Sequence, residues 1–217
     1  MPSPATFLVF GATGGTGRRF VDLALLQGHN VRCLVRIPSK LAQPAVADKL
    51  EVVQGSLLDD SLDLVPLVQG VDYVVIMVGD RAIQATQMIC LPFVQRLVPC
   101  MRDHGVKRVL FQAGGLSRPY GGSLSPLLWV LRNTLARGFD GQHRDNEAVM
   151  RYLNTEAMDI EWIVHRAGIG GDGESNGELK RSSTWSIGTF RDVAAYNLKT
   201  VMDDQAVHTM DLSQYVS

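Results

Sequence analysis

Residues 6–18 read Thr-Phe-Leu-Val-Phe-Gly-Ala-Thr-Gly-Gly-Thr-Gly-Arg, and this stretch decides the fold. Thr6 to Phe10 is a short apolar run that ends in Gly11, the pattern of a buried parallel strand. From Gly14 to Gln27, Phe20, Val21, Leu23, Ala24 and Leu25 mark a helix, and Gly28 closes it. A glycine-rich turn therefore joins a strand to a helix, with Gly11, Gly14 and Gly17 at a spacing of three and Gly15 between them.

Each of the three spaced glycines has a physical use in such a turn. One lets the chain reverse tightly, one lets a diphosphate approach the backbone with no Cβ in the way, and one lets helix and strand pack closely. The N–H groups that open the helix have no partner within it and face the anion. The spacing differs from the G-x-G-x-x-G of typical dehydrogenases, yet strand, turn and helix coincide as a dinucleotide site requires. A second strand, Val31 to Val35, is followed by Arg36. NAD sites place Asp or Glu there for the ribose 2′-hydroxyl, whereas a guanidinium suits a 2′-phosphate. Arg36 thus selects NADP as the expected cofactor, with Arg18, Arg32 and Lys40 as lesser candidates for the same phosphate.

Outward from this start, strands are expected at Leu50–Val53, after a segment carrying Pro38 and Pro44, and at Val71–Val78, Arg108–Gln112, Ile160–Val164 and Val207–Leu212. Helices are expected at Ser61–Val68 with Ser61 as its cap, at Gln84–His104 with a kink or break at Pro92 and Pro99, and at Gln142–Leu153 and Arg191–Val201. Ser125–Arg137 is apolar on several sides, and Leu124–Leu135 with Trp129 is a candidate cleft lining. The alternation implies a single-domain α/β fold, a doubly wound, mostly parallel, Rossmann-like sheet, with substrate-side insertions near 115–142 and 170–188. Gly170–Gly188, polar and glycine-rich, is expected to be a mobile loop or lid ending at Trp185.

The chain has 217 residues, 46% of them hydrophobic and 20% charged, with a formal net charge of -1. That balance suits a globular protein and argues against nucleic acid or an anionic membrane as partner. No apolar run reaches membrane-spanning length and Met1-Pro2-Ser3-Pro4 has no basic leader, so a cytoplasmic location is expected. Cys33, Cys90 and Cys100 lie in apolar stretches and read as reduced thiols. His29, His104 and His208 show no metal-ligand spacing, and no metal site is expected.

The residues resemble the NmrA-like, atypical short-chain dehydrogenase/reductase family, and in size most resemble flavin reductases of the biliverdin-IXβ-reductase type. The resemblance rests on the glycine turn, Leu34-Val35-Arg36, Val53-Gln54-Gly55-Ser56-Leu57, Gly70-Val71-Asp72-Tyr73-Val74, Gly105-Val106-Lys107-Arg108, the stretch Ile160 to Gly168 and Arg191-Asp192-Val193-Ala194. It implies that Gly11, Thr13, Gly14, Thr16 and Gly17 hold the pyrophosphate and that Arg36 holds the 2′-phosphate. Ser56 and Leu57 would lie by the adenine, and Val78 and Gly79 under the nicotinamide ribose. Ala113 and Gly114 would approach the nicotinamide, with Ala167, Gly168 and Ile169 on its far side. Three positions depart from the pattern: Ser56 replaces an acidic residue, Ala167 a proline, and Gly114-Gly115 a Ser or Thr.

No tyrosine of this chain has lysine four positions later, so the Tyr-x-x-x-Lys acid of typical short-chain dehydrogenases is absent. Tyr196 and Lys199 are one residue short of that spacing and read as a helix surface pair. Ser117, Tyr120 and His143 are the candidate acids, although a histidine at a helix start is more often a solvated cap-region residue, and His165 is expected in packing. The expected activity is NADPH-dependent hydride transfer to a small conjugated acceptor, a flavin, quinone or enone. Two alternatives stand beside it: a non-catalytic NADP(H)-binding redox sensor, and an isomerase-like enzyme on the same fold. The expected partner is a small-molecule substrate, and the expected state a monomer or homodimer.

Overall fold

Gly11 lies at a φ of 86° and leads β1 (Thr6–Phe10) into α1 (Gly15–Leu26), whose start carries no side-chain cap. The computed structural model describes residues 3–41 and 47–216, so Pro44 and Met1-Pro2 lie outside the described residues. From β1 the chain passes to β2 (Asn30–Val35), β3 (Leu50–Gln54), a short α2 (Val65–Val68) and β4 (Tyr73–Ile76). Next come α3 (Arg81–Gln84), α4 (Cys90–Asp103), β5 (Arg108–Gly114), α5 (Pro126–Asn133) and α6 (Asp140–Glu156). It ends with β6 (Glu161–Gly171), β7 (Leu179–Ser182), β8 (Ile187–Thr189), α7 (Phe190–Val201) and β9 (Met210–Tyr215).

The strands form one sheet in the order β3-β2-β1-β4-β5-β6-β9-β7, with β8 beside the end of β6. Every pairing is parallel except β7 with β9. A hydrophobic core fills each face, as a doubly wound sheet requires. Phe93, Leu97, Val149 and Leu153 of α4 and α6 seal one face, and Phe20, Ala24, Leu198 and Val201 of α1 and α7 the other. The strand order reverses between β1 and β4, and ligands of open α/β sheets bind beyond the carboxyl ends of strands at such a point.

Several expectations are corrected. The 84–104 helix starts only at Cys90, because the chain turns after Gln84, the last residue of the separate short α3. Pro92 sits in the first turn of α4, where its missing N–H is not needed, and Pro99 lies within a helix that continues past it. Ser61 does not cap α2: its own N–H and hydroxyl donate to Asp59, and Asp63 accepts from Val65 N at 3.0 Å instead. The 170–188 segment is not a free loop. The β6 strand runs through Gly171, β7 and β8 follow, and the buried Asp192 ties the stretch down by accepting from Ser175, Asn176, Thr189 and Tyr215. The last strand begins at Met210 rather than Val207, because His208 takes a positive φ of 60° and turns the chain just before it. Tyr196 is buried against His165 rather than on the helix surface.

Candidate functional site

A cleft of about 270 Å³ opens at the carboxyl ends of β1, β2 and β4. Gly11, Thr13 and Gly14 form one wall, Arg36, Lys40, Ser56 and Leu57 the outer end, and Val78, Gly79 and Asp80 the wall opposite. The glycine turn is shaped by close approach. A Cβ on Gly11 would overlap the Met77 carbonyl, and one on Gly17 would overlap the Gly11 carbonyl. A Cβ on Gly15 would enter the Phe190 ring of α7. Gly15, Thr16 and Gly17 therefore pack the turn, while Gly11, Thr13 and Gly14 present it to the cleft. The uncapped start of α1 fits the diphosphate of a dinucleotide, since its backbone donors have no side-chain acceptor.

Two of the four candidate cations line the cleft. Arg36 and Lys40 both line the cleft, and both are exposed. Arg32 does not reach it: its guanidinium is taken by Glu51 at 2.6 Å and by the carbonyls of Leu67 and Gln69 at 2.8 Å. Arg18 is exposed and does not line the cleft. Arg36 Nη2 lies 3.5 Å from Asp80 Oδ2, an ion pair with its arginine 62% exposed. Asp80 escaped the sequence reading, although an aspartate just before a helical segment is an N-cap signal. It caps α3 by accepting from Ile83 N at 3.2 Å, and its own N–H donates to Gln84 Oε1 at 2.9 Å.

Gln84 is buried and donates to Asp145 Oδ2 at 2.8 Å. Asp145, fully buried on α6, also accepts from Ile89 N at 2.8 Å and from Cys90 N and Leu91 N at 2.9 Å. One carboxylate thereby supplies acceptors for the first turn of α4, whose N–H groups have none within the helix. Burial, with Asp145 beside it, pushes the Cys90 thiol well up, and burial raises Cys33 to about 12, so both are inert thiols in the core.

The structure brings Ser117 and His143 together and leaves Tyr120 apart. Ser117 Oγ lies 3.2 Å from His143 Nδ1 and accepts from Asn146 Nδ2 at 3.3 Å. The hydroxyl thereby joins the ring and the Asn146 amide in one buried polar cluster. His143 Nε2 and Asn146 Oδ1 are buried and have no partner among the described residues. Burial, reinforced by Arg132, lowers His143 to about 4 against the pull of Glu147 and Asp140, so the ring is neutral at pH 7. His143 is thus not a solvated cap residue: it is 6% exposed, and Ser117 is 0% exposed. Neither lines the cleft. Tyr120 is exposed and belongs to a separate surface hollow with Arg118 and Arg151.

The residues assigned to the nicotinamide divide in the same way. Val78 and Gly79 line the cleft, and Gln142 of α6 reaches over Gly79, occupying the direction in which a Cβ there would project. Ala113, Gly114 and Ala167 belong to the paired β5 and β6 backbone outside the cleft, and Gly168 pairs with Ile187 of β8. Gly114, lacking a side chain, leaves His143 and Asn146 at van der Waals distance, 3.7–3.8 Å from a Cβ position. Trp185 covers Gly168, and Ile169 is exposed. Arg166, buried on β6, donates to the Ser117 carbonyl at 2.9 Å and fixes the turn after β5, while burial lowers its pKa to about 10. His165 is core: it pairs with Asn197 at 2.6 Å and Ser213 at 2.8 Å.

Known proteins share this fold. A protein of Lactobacillus casei superimposes with a TM-score of 0.76 at 19% identity, over 98% of this chain and 100% of that one. The oxidoreductase ylbE of Lactococcus lactis gives 0.73 at 14% identity, over 98% and 91%. ChuY of Escherichia coli, described as an anaerobillin reductase, gives 0.65 at 19% identity, over 88% and 87%. At these identities the likeness is one of fold. The sequence itself matches the NAD(P)H-binding family over residues 11–204, which span the glycine turn, the cleft and α7. This chain belongs to the NAD(P)H-binding family.

Proposed function

We propose that this protein is an NADPH-dependent reductase that passes hydride to a small conjugated acceptor, a flavin, quinone or enone. The observation that carries the reading is one cleft in which an uncapped helix start, a glycine-rich turn and the cations of Arg36 and Lys40 converge. When bound, the dinucleotide supplies the hydride. The chain supplies binding and position: backbone N–H groups at the start of α1 hold the diphosphate, and Arg36 with Lys40 holds the 2′-phosphate. The adenine lies against Ser56 and Leu57. The backbone at Val78 and Gly79 supports the nicotinamide ribose, and Gln142 closes over it. Ser117 and His143 are sealed from the cleft, so the acceptor takes its proton from water, which suits flavins and quinones. The reductase named among the structural relatives supports the reaction class.

The first test is a titration with NADPH and NADH on wild type and Arg36→Ala. Loss of one charge-assisted contact is worth about 1.5–3 kcal/mol, so NADPH affinity should fall roughly 10- to 100-fold at 1.4 kcal/mol per decade, with NADH nearly unchanged. Equal loss for both dinucleotides removes Arg36 from this role. NADPH oxidation against a panel of flavins, quinones and enones then tests turnover. Tight binding without reduction of any acceptor would leave a dinucleotide-binding redox reporter in place of an enzyme.

A further inference from the structure

Asp80 is the one acidic side chain among the described residues that line the cleft, and it faces the cation assigned to the 2′-phosphate. Its place is built rather than incidental. Oδ1 caps α3 at Ile83 N, and the Asp80 N–H is held by Gln84, itself held by the fully buried Asp145. This leaves Oδ2 directed at Arg36 Nη2, 3.5 Å away. A helix cap needs only one oxygen, and an asparagine serves it as well as an aspartate. The second oxygen, and the charge, are therefore surplus to the cap.

From this geometry we infer that Asp80 is a specificity-determining residue of the cleft, one that holds Arg36 in the absence of nucleotide and competes with a 2′-phosphate for it. The inference rests on the reading of Arg36 given above and adds a second residue to it. A 2′-phosphate that engages Arg36 must take the guanidinium from Asp80 and then sit close to a like charge. A 2′-hydroxyl does neither, so NADH leaves the ion pair in place. Asp80 thus narrows the preference for NADPH that Arg36 and Lys40 create, and tunes the protein toward looser, exchangeable binding of the phosphorylated nucleotide.

The test compares wild type and Asp80→Asn by calorimetric titration with NADPH, NADH and adenosine 2′,5′-bisphosphate, the last as a probe of the phosphate end alone. Asparagine keeps the cap and removes the charge. An exposed pair of this kind has a modest strength, so the variant should bind NADPH and the bisphosphate about two- to fivefold tighter, with NADH changed less than about 1.5-fold. The gain should shrink at about 1 M salt, where the screening length is ~3 Å. Asp80→Ser, a second cap-competent residue, should behave likewise if the asparagine variant folds poorly. Unchanged NADPH binding in a folded variant makes Asp80 a cap and nothing more, and overturns the inference. Weaker NADH binding with NADPH unchanged also overturns it, because the carboxylate would then be reading the ribose hydroxyl. If wild type binds NADPH through Arg36 and the Asp80 variants are indifferent, this inference alone fails. If wild type binds neither dinucleotide, the reductase reading falls and takes this inference with it.

Discussion

Ser117 turns its hydroxyl toward His143 and Asn146 instead of toward solvent, and this decides what a substitution there should do. Ser117→Ala removes a buried hydrogen-bonded hydroxyl, so stability should fall by about 1–3 kcal/mol. If the acceptor draws its proton from water, turnover with a flavin or quinone should stay within about threefold of wild type, far short of the 10²–10⁴-fold effect of a general acid. A hundredfold loss of kcat at constant KM, measured by steady-state NADPH oxidation, would instead make Ser117 the proton donor. Arg36 was legible from sequence because its position at a strand end is a matter of counting. The burial of Ser117 and His143 was not legible, since it depends on Arg166 drawing in the turn after β5 and on α6 covering it. The same holds for Asp80, whose second oxygen gains a meaning only when β2 and β4 bring Arg36 beside it across β1.

Among the helices, α4 depends on a residue 55 positions away in sequence from Cys90. Asp145 supplies all the acceptors that its first turn finds, and holds Gln84 in the same grasp. Asp145→Asn swaps one oxygen for an amide whose hydrogens meet other donors. The expected loss is about 2–4 kcal/mol, read as a lower midpoint in urea. Hydrogen exchange should localise the loosening to the segment from Asp80 to Leu91. A uniform rise in exchange along the whole chain would count against this local role. From sequence this region read as a single helix with proline trouble, because its apolar periodicity runs through the break. What divides it is a carboxylate from another helix that replaces the helical partners of Ile89, Cys90 and Leu91. The 170–188 stretch was misread for a related reason. Leu179–Ser182 shows no alternation, and it is a strand because β9 offers it a backbone ladder.

At the scale of the molecule, three histidines are buried, and the burial of two of them, His143 and His165, makes the fold sensitive to acid. Burial pushes His165 down to about 4 from 6.5, opposed by its bond to Asn197, and burial does the same to His143. The unfolded chain binds protons on both rings below its ordinary pKa, while the folded chain refuses them until about pH 4. Stability from this source is therefore complete above pH 6.5 and drains as pH falls toward 4, with each ring worth at most on the order of 3 kcal/mol. Urea unfolding at a series of pH values should show that decline, and His165→Gln should flatten part of it. A decline confined to pH values below 4 would assign acid sensitivity to carboxylates instead.

The chain order alone determined the doubly wound sheet, the glycine turn and the cation after β2, because each follows from local rules: apolar runs of strand length, helical spacing, and glycines where a Cβ cannot fit. No helix among the described residues is long and apolar enough to cross a membrane, in keeping with the absence of a long apolar run. The tertiary structure alone decided which polar side chains face the cleft and which face one another. A side chain's exposure is set by what packs over it from distant parts of the chain, and neither Ser117 beneath α6 nor Asp80 opposite Arg36 carries that neighbour in its own sequence.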